Sequence, residues 1–400
     1  MRGVIKGMSD ELLAEFMLEP GSPMANGRRC ESSSVSLPLS RALIGSCKGH
    51  LFGQGSWGGM NNRFAMAVVA AALTMLVSKS ALAAEGGAGV YLLGKRGPLA
   101  AFLPKPGWYV TDDVFYYDAS SDDFLPLGDR IVQDADAQAL VNIAQFTWIT
   151  DSALGNGRLG FSAVIPYGRL EVKGRGAVFL PDGTEIARGI KDSDTGFGDP
   201  TVAASLGWKH RDGERFRAWS GYSSVTIPVG DYETGRLANL GKNRWALDVG
   251  GAYTLANFGT GREFSSVAGI TFNGENRDND YETGTELHFE AAVIQHFPRN
   301  WSAGLVGYYY KQLTGDDGAD AKFGDFKGRV WALGAQAGYQ FPWERHPLGV
   351  NLRWYREFDA RNRLEGDSLF LTFSVPLRVR PPRTADEQDW DSPTDGLLVE

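Results

Sequence analysis

The stretch "TELHFE" sets Glu286, His288 and Glu290 at every second position. Two carboxylates around an imidazole are the donor types for a divalent cation or for acid/base work. Spacing argues against the metal. Alternate residues of an extended chain stand about 6.5–7 Å apart, too far to share one ion without a ligand from a neighbouring strand. No metal and no cofactor are therefore expected. Nucleophilic catalysis needs a serine close to a histidine that an acid orients. Of the five histidines, His50 lies early in the chain, and His210, His296 and His346 fall at or near short turns at one end. The chain has neither a GxSxG elbow nor a P-loop, so no catalytic residue is expected.

The same polar phase continues elsewhere: Asp248 in "ALDVGG", Tyr308 and Tyr310 in "GYYY", Gln336 in "GAQAG", and Arg353, Tyr355 and Glu357 in "NLRWYREF". With Glu286, His288 and Glu290 these make ten candidates for the inner wall of a lumen. Acids facing Arg353 and Arg244 would form a salt-bridge network, either as bracing or as a selectivity filter. Tyr308, Tyr310 and Tyr355 would offer ring-shaped solutes a stacking path, or simply fill space.

Positioning such a wall requires strands that alternate. In "RWALDVGGAYTL", Trp245, Leu247, Val249, Tyr253 and Leu255 share one face and Arg244, Asp248 and Thr254 the other. About twelve such runs are expected: 107–117, 138–149, 157–168, 198–209, 215–229, 243–256, 262–274, 284–297, 301–313, 329–341, 348–359 and 367–379. Most reach the nine to eleven residues that a tilted membrane strand needs. Their connections alternate long and short, as in outer-membrane barrels with long extracellular loops and short periplasmic turns. A soluble sandwich or lipocalin-like barrel also alternates, but its outer face should be polar. Here the apolar face carries aromatic residues at its ends, as a membrane barrel requires. The fold class is thus all-β, a transmembrane antiparallel barrel of about twelve strands, over 107–379.

"MNNRFAMAVVAAALTMLVSKSALAAEGG" lies sixty residues into the chain and has the parts of a secretory signal: Arg63, the apolar run Phe64–Val77, and Ala81-Leu82-Ala83 before the cleavage point. That run makes about 21 Å of helix, short of the roughly 30 Å hydrocarbon core. Residues 1–59 read as a leader from a mis-called upstream start, 60–83 as the signal peptide and 84–106 as a periplasmic lead-in. Folding of that lead-in into the lumen, as a gate, is the alternative. "ALIGSC" only faintly resembles a lipoprotein box, because Pro38 and Arg41 break its apolar stretch. The acidic tail 380–400 reads as disordered. Both cysteines, Cys30 and Cys47, precede the signal, which excludes thiol chemistry and disulfides from an exported chain. A net charge of −8 without a Lys/Arg run excludes nucleic acid.

Several stretches together resemble the outer-membrane protein family associated with the meta-pathway of phenol degradation: "TGFGDPTVAASLGW", "NLGKNRWALDVGGAYT", "NDYETGTELHFEAAVIQHF", "GLVGYYYKQLTGDDG" and "NLRWYREFDARNRLEGDSLFLTF". The resemblance implies a Gram-negative outer-membrane barrel linked to aromatic catabolism, and no catalytic residues come with it. The expected function is a passive channel for small hydrophobic or aromatic compounds. Its expected partners are outer-membrane lipid, those solutes and the barrel-assembly machinery. The alternatives are an adhesive surface barrel, whose acidic loops 118–137 and 314–328 bind Ca²⁺ or are merely solvated, and a lipid hydrolase.

Overall fold

The computed structural model describes residues 89–122, 125–127, 130–179, 185–318, 327–342 and 347–379. The chain divides into two units, Met1–Met75 and Leu76–Glu400, and every described residue belongs to the second. The leader 1–59, the signal 60–83 and the tail 380–400 lie outside the described residues.

Twelve strands form the wall: β1 (Gly107–Ser121), β2 (Arg130–Leu154), β3 (Gly157–Phe179), β4 (Thr201–Asp212), β5 (Arg215–Thr226), β6 (Ala246–Asn257), β7 (Arg262–Asn273), β8 (Glu286–Phe297), β9 (Trp301–Gln312), β10 (Arg329–Phe341), β11 (Leu348–Arg361) and β12 (Glu365–Val379). Each pairs antiparallel with the next, and β12 returns to β1 with Phe370 opposite Phe115, so the barrel is closed. Closure satisfies the backbone amides that a bilayer cannot. Alternation sets the two faces. Phe289 and Val293 of β8 are 41% and 59% exposed, whereas Glu290 between them is 3% exposed.

One end of the barrel has tight turns. Gly155 and Asn156 join β2 to β3 with φ of 56° and 59°, the two left-handed residues of a hairpin turn that matches strand twist. Aromatic pairs ring this end, Trp108 on Trp148 at 5.8 Å and Trp301 on Tyr339 at 4.7 Å. Tyr309 on Trp331, at 4.1 Å, sits toward the long-loop end.

Two segments depart from the sequence expectation. The stretches 118–137 and 169–197 are expected as long loops, yet β2 begins at Arg130, β3 runs on to Phe179, and a further strand, Glu185–Phe197, pairs back onto it. Alternation persists there while the outward residues turn from apolar to charged. Leu170 and Val172 face inward between Arg169, Glu171 and Lys173, so above the lipid the strand loses its greasy face and imitates a loop. The second departure is the lead-in. Residues 89–106 do not lie loose below the barrel. They run along its inside, held by hydrogen bonds to β6, β7, β8 and β11.

Candidate functional site

Glycine and proline keep residues 89–106 from forming any ladder of their own, and the segment passes down the lumen as a strap. The wall supplies the hydrogen bonds that the strap lacks. Glu290 accepts from the backbone N–H of Gly94 and of Arg96, both at 3.1 Å. Glu263 of β7 accepts from Leu99 N–H at 2.6 Å, and Thr254 of β6 from Ala101 N–H at 3.2 Å. Tyr355 donates to Gly94 O at 3.0 Å, and Arg353 donates to Lys95 O. Tyr91 stacks on the His288 ring with centroids 3.5 Å apart. Gly94 has φ +79° and lies so close to Tyr355 that a Cβ would approach its ring to 2.8 Å, so both backbone and space require glycine there. At the short-turn end Leu103 packs against Gly160 and Gly207, and Phe102 against Phe216.

All ten residues expected on the inner wall, Asp248, Glu286, His288, Glu290, Tyr308, Tyr310, Gln336, Arg353, Tyr355 and Glu357, are between 1% and 5% exposed on the lumenal side. They form separate clusters and not a single network across the lumen. Glu357 collects Tyr117 and Tyr308 hydroxyls at 2.8 and 2.9 Å, the Gly366 N–H at 3.1 Å and the Arg363 guanidinium at 3.4 Å. Glu286 accepts from the Tyr310 hydroxyl at 2.6 Å and from Asn273 at 3.2 Å. Gln336 accepts from Asn351. Arg353 lies 3.5 Å from Asp113, a residue that also holds Lys95 of the strap at 2.9 Å. Arg244 donates to Asn273 at 3.2 Å.

His288 is engaged within the wall. Its Nε2 is 2.9 Å from Asp248 and 3.4 Å from the Tyr222 hydroxyl, while Tyr91 covers its face. Among the described residues no serine hydroxyl is hydrogen-bonded to a histidine, and no three acidic, His or Cys side chains are grouped to hold a metal. His296 pairs with Glu263 at 2.7 Å, and His346 lies outside the described residues.

Of the groups that hold the strap, sequence reasoning singled out Glu290, His288, Arg353 and Tyr355 but not Glu263 or Asp113. Glu263 stands on the inward phase of an expected strand and was findable by the alternation that gave Glu290. Asp113 is hidden by its neighbour, because "DD" gives no phase; Asp112 faces the other way and bonds Asn142.

The strap leaves open space on one side of the lumen. Toward the long loops lies a chamber of about 260 Å³ with a largely apolar lining that includes Leu92, Leu93, Phe115, Leu170, Leu237 and Leu240. Toward the short turns lies one of about 540 Å³, bounded by the strap and by hydroxyl-bearing residues of β1–β5 such as Thr147, Ser162, Thr201 and Ser220. Tyr91, Leu92, Phe115, Val141 and Leu240 line both, so the two chambers are neighbours along the lumen. Residues 227–242 roof the upper chamber. Asp192 accepts from Leu237 and Ala238 N–H at 2.9 and 3.2 Å and from Arg236 at 3.1 Å; Asp194 takes Leu240 N–H at 3.0 Å; Asp199 takes Gly230 N–H at 2.8 Å.

A family model described as "Putative MetA-pathway of phenol degradation" matches residues 121–373. Among solved structures, an outer membrane channel from Pseudomonas putida F1 is similar, at 17% identity and TM-score 0.53, over 70% of this chain and 100% of that one. Similarity to Pseudomonas aeruginosa OpdK, solved with vanillate, is lower: 12% identity and TM-score 0.28 over 67% and 98%. The transport unit of the Escherichia coli autotransporter AIDA-I gives 8% and 0.36 over 72% and 92%. The first of these shows the fold, an outer-membrane type barrel. No curated protein matches the chain.

Proposed function

The chain belongs to the family described as "Putative MetA-pathway of phenol degradation", and on that premise we propose that it is a passive outer-membrane channel for small hydrophobic or aromatic molecules. The single observation that carries this reading is the pair of adjacent chambers beside the strap, the upper one apolar. In this orientation the short turns face the periplasm and the long loops the exterior. A solute that partitions into the upper chamber leaves water for an apolar wall, a gain of about 25 cal/mol per Å² of apolar surface buried. Passing Tyr91 and Phe115, it meets the hydroxyls of the lower chamber and is released toward water. Binding that is favourable but divided between two sites is what conduction requires.

The family name supports an aromatic solute, and the rings of Phe115, Tyr117, Tyr308 and Tyr310 lining the upper chamber agree with one. Proteoliposomes loaded with phenol, benzyl alcohol, glucose and sucrose test the proposal. Faster release of the first two than from protein-free vesicles, with sucrose retained, is the expected result. Release of none of the four above the protein-free rate rejects the channel.

A further inference from the structure

Resting on the channel reading and sharpening it, the geometry points to Arg96 as a binding group for the carboxylate of a small organic acid in the lower chamber. The strap carries two cations side by side, and their circumstances differ. Lys95 is spent on Asp113 at 2.9 Å. The Arg96 backbone N–H bonds Glu290, but its guanidinium has no hydrogen bond and no ion pair among the described residues. It lies over the Tyr222 ring, 4.0 Å from the centroid, and lines the lower chamber.

A guanidinium is a planar fork of donors that matches a carboxylate in two bonds, and it stacks readily on aromatic faces. Tyr222 holds the guanidinium by cation–π attraction at the chamber wall. The carboxylates around it are engaged elsewhere. Asp248 is taken by His288 and Thr271, Asp199 by the N–H groups of Gly230 and Lys242, and Glu290 by the strap backbone. Charges lining this chamber are Lys95, Arg96, Lys242 and Arg353 against Asp113, Asp199 and Asp248, an excess of one cation in a chain of net charge −8. Beside Tyr222 on the same face of β5, Ser220 and Ser224 line the chamber with hydroxyls that can donate to an oxyanion or to a ring hydroxyl. The ligand class is therefore an apolar ring or short chain bearing one carboxylate.

Fluxes of benzoate and of its neutral isostere benzamide through proteoliposomes test this, comparing the native protein with Arg96→Gln and Arg96→Lys. Arg96→Gln is expected to lower benzoate flux roughly ten-fold, the loss of one charge-assisted contact, and to leave benzamide flux unchanged. Arg96→Lys should recover part of the benzoate flux. Equal loss for both solutes would mean that the variant only shifts the strap, and unchanged benzoate flux would mean that Arg96 does not touch the solute; either overturns the site. If the native protein conducts neither, the channel reading fails. The site is then decided by calorimetric titration of the detergent-solubilised protein with benzoate. Binding that Arg96→Gln weakens ten-fold upholds it, and no binding to the native protein rejects it.

Discussion

The lumen has two sides of opposite character. Along β6–β8 and β11 the inward residues include Asp248, Glu263, Glu286, Glu290, Arg353 and Glu357, and these bond mainly to the strap and to neighbouring wall residues. Along β1–β5 the inward residues are mostly small or hydroxyl-bearing, and there the space stays open. Charge in this barrel holds structure in place, and the side poor in charge is the one a solute can use. A buried carboxylate is costly unless hydrogen-bonded, so an acid-rich wall must recruit donors. The strap's unpaired backbone N–H groups supply them. Each side thus explains the other: the strap's backbone is drawn to Glu263 and Glu290, and the larger chamber opens toward the hydroxyl-bearing side of β1–β5.

The largest effect should follow from cutting that dependence. Glu290→Ala removes the charged acceptor of two strap N–H groups. At about 1.5 kcal/mol or more for each, the seated strap loses roughly 3 kcal/mol, a shift of about a hundred-fold toward a displaced state. Single-channel recordings should then show long-lived openings of higher conductance, and in-frame deletion of residues 89–103 should make that level permanent. Recordings indistinguishable from the native protein would break the comparison, because they would show that the acids do not secure the strap.

The wall was legible in the sequence to the extent that two-residue alternation reveals it. Phe289 and Val293 against His288 and Glu290 gave the face and the strand for β8, and the same alternation in β6 and β9–β11 placed Asp248, Tyr308, Tyr310, Gln336, Arg353, Tyr355 and Glu357. The same signal faded where the outward residues became Arg169, Glu171 and Lys173, since a strand without lipid on its outer side has no need of an apolar face. The strap carried no periodicity whatever. Its place is set by long-range bonds, such as Gly94 to Glu290, between groups nearly two hundred residues apart, and no local pattern encodes those. Legibility therefore followed the solvent on each side of the chain, and failed for a segment whose surroundings are all protein.

A second contrast sharpens the point that buried charge here braces the wall. Glu357→Leu would leave Arg363, which is 8% exposed, buried without its carboxylate, and would orphan the Tyr117 and Tyr308 hydroxyls. Breaking such a pair costs about 3–5 kcal/mol. Asp367→Asn breaks the exposed pair with Arg356, at 2.8 Å, for which about 1 kcal/mol is an upper figure. Urea unfolding in micelles, followed by the loss of heat-modifiable mobility, should separate the two midpoints widely. Equal midpoints would mean that the inner cluster is as solvated as the outer rim.

The smallest effect concerns the roof, where the carboxylates lie outside the membrane and hold a loop in place of the strap. Burial works to raise the Asp192 carboxyl. The hydrogen bonds from Arg236, Ala238 N–H and Ser193 N–H outweigh it and hold the group below its ordinary value of 3.8. A depressed value stabilises the docked roof fully above 3.8, and that contribution is lost as the pH falls through the depressed value. Proteolysis within 227–242 by pepsin, an acid-active protease, should therefore accelerate below the ordinary aspartate range. In Asp192→Asn it should be fast already at the upper end of pepsin's working range. Equal cleavage of the native protein and of Asp192→Asn across that range would mean that the Asp192 carboxylate does not hold the roof.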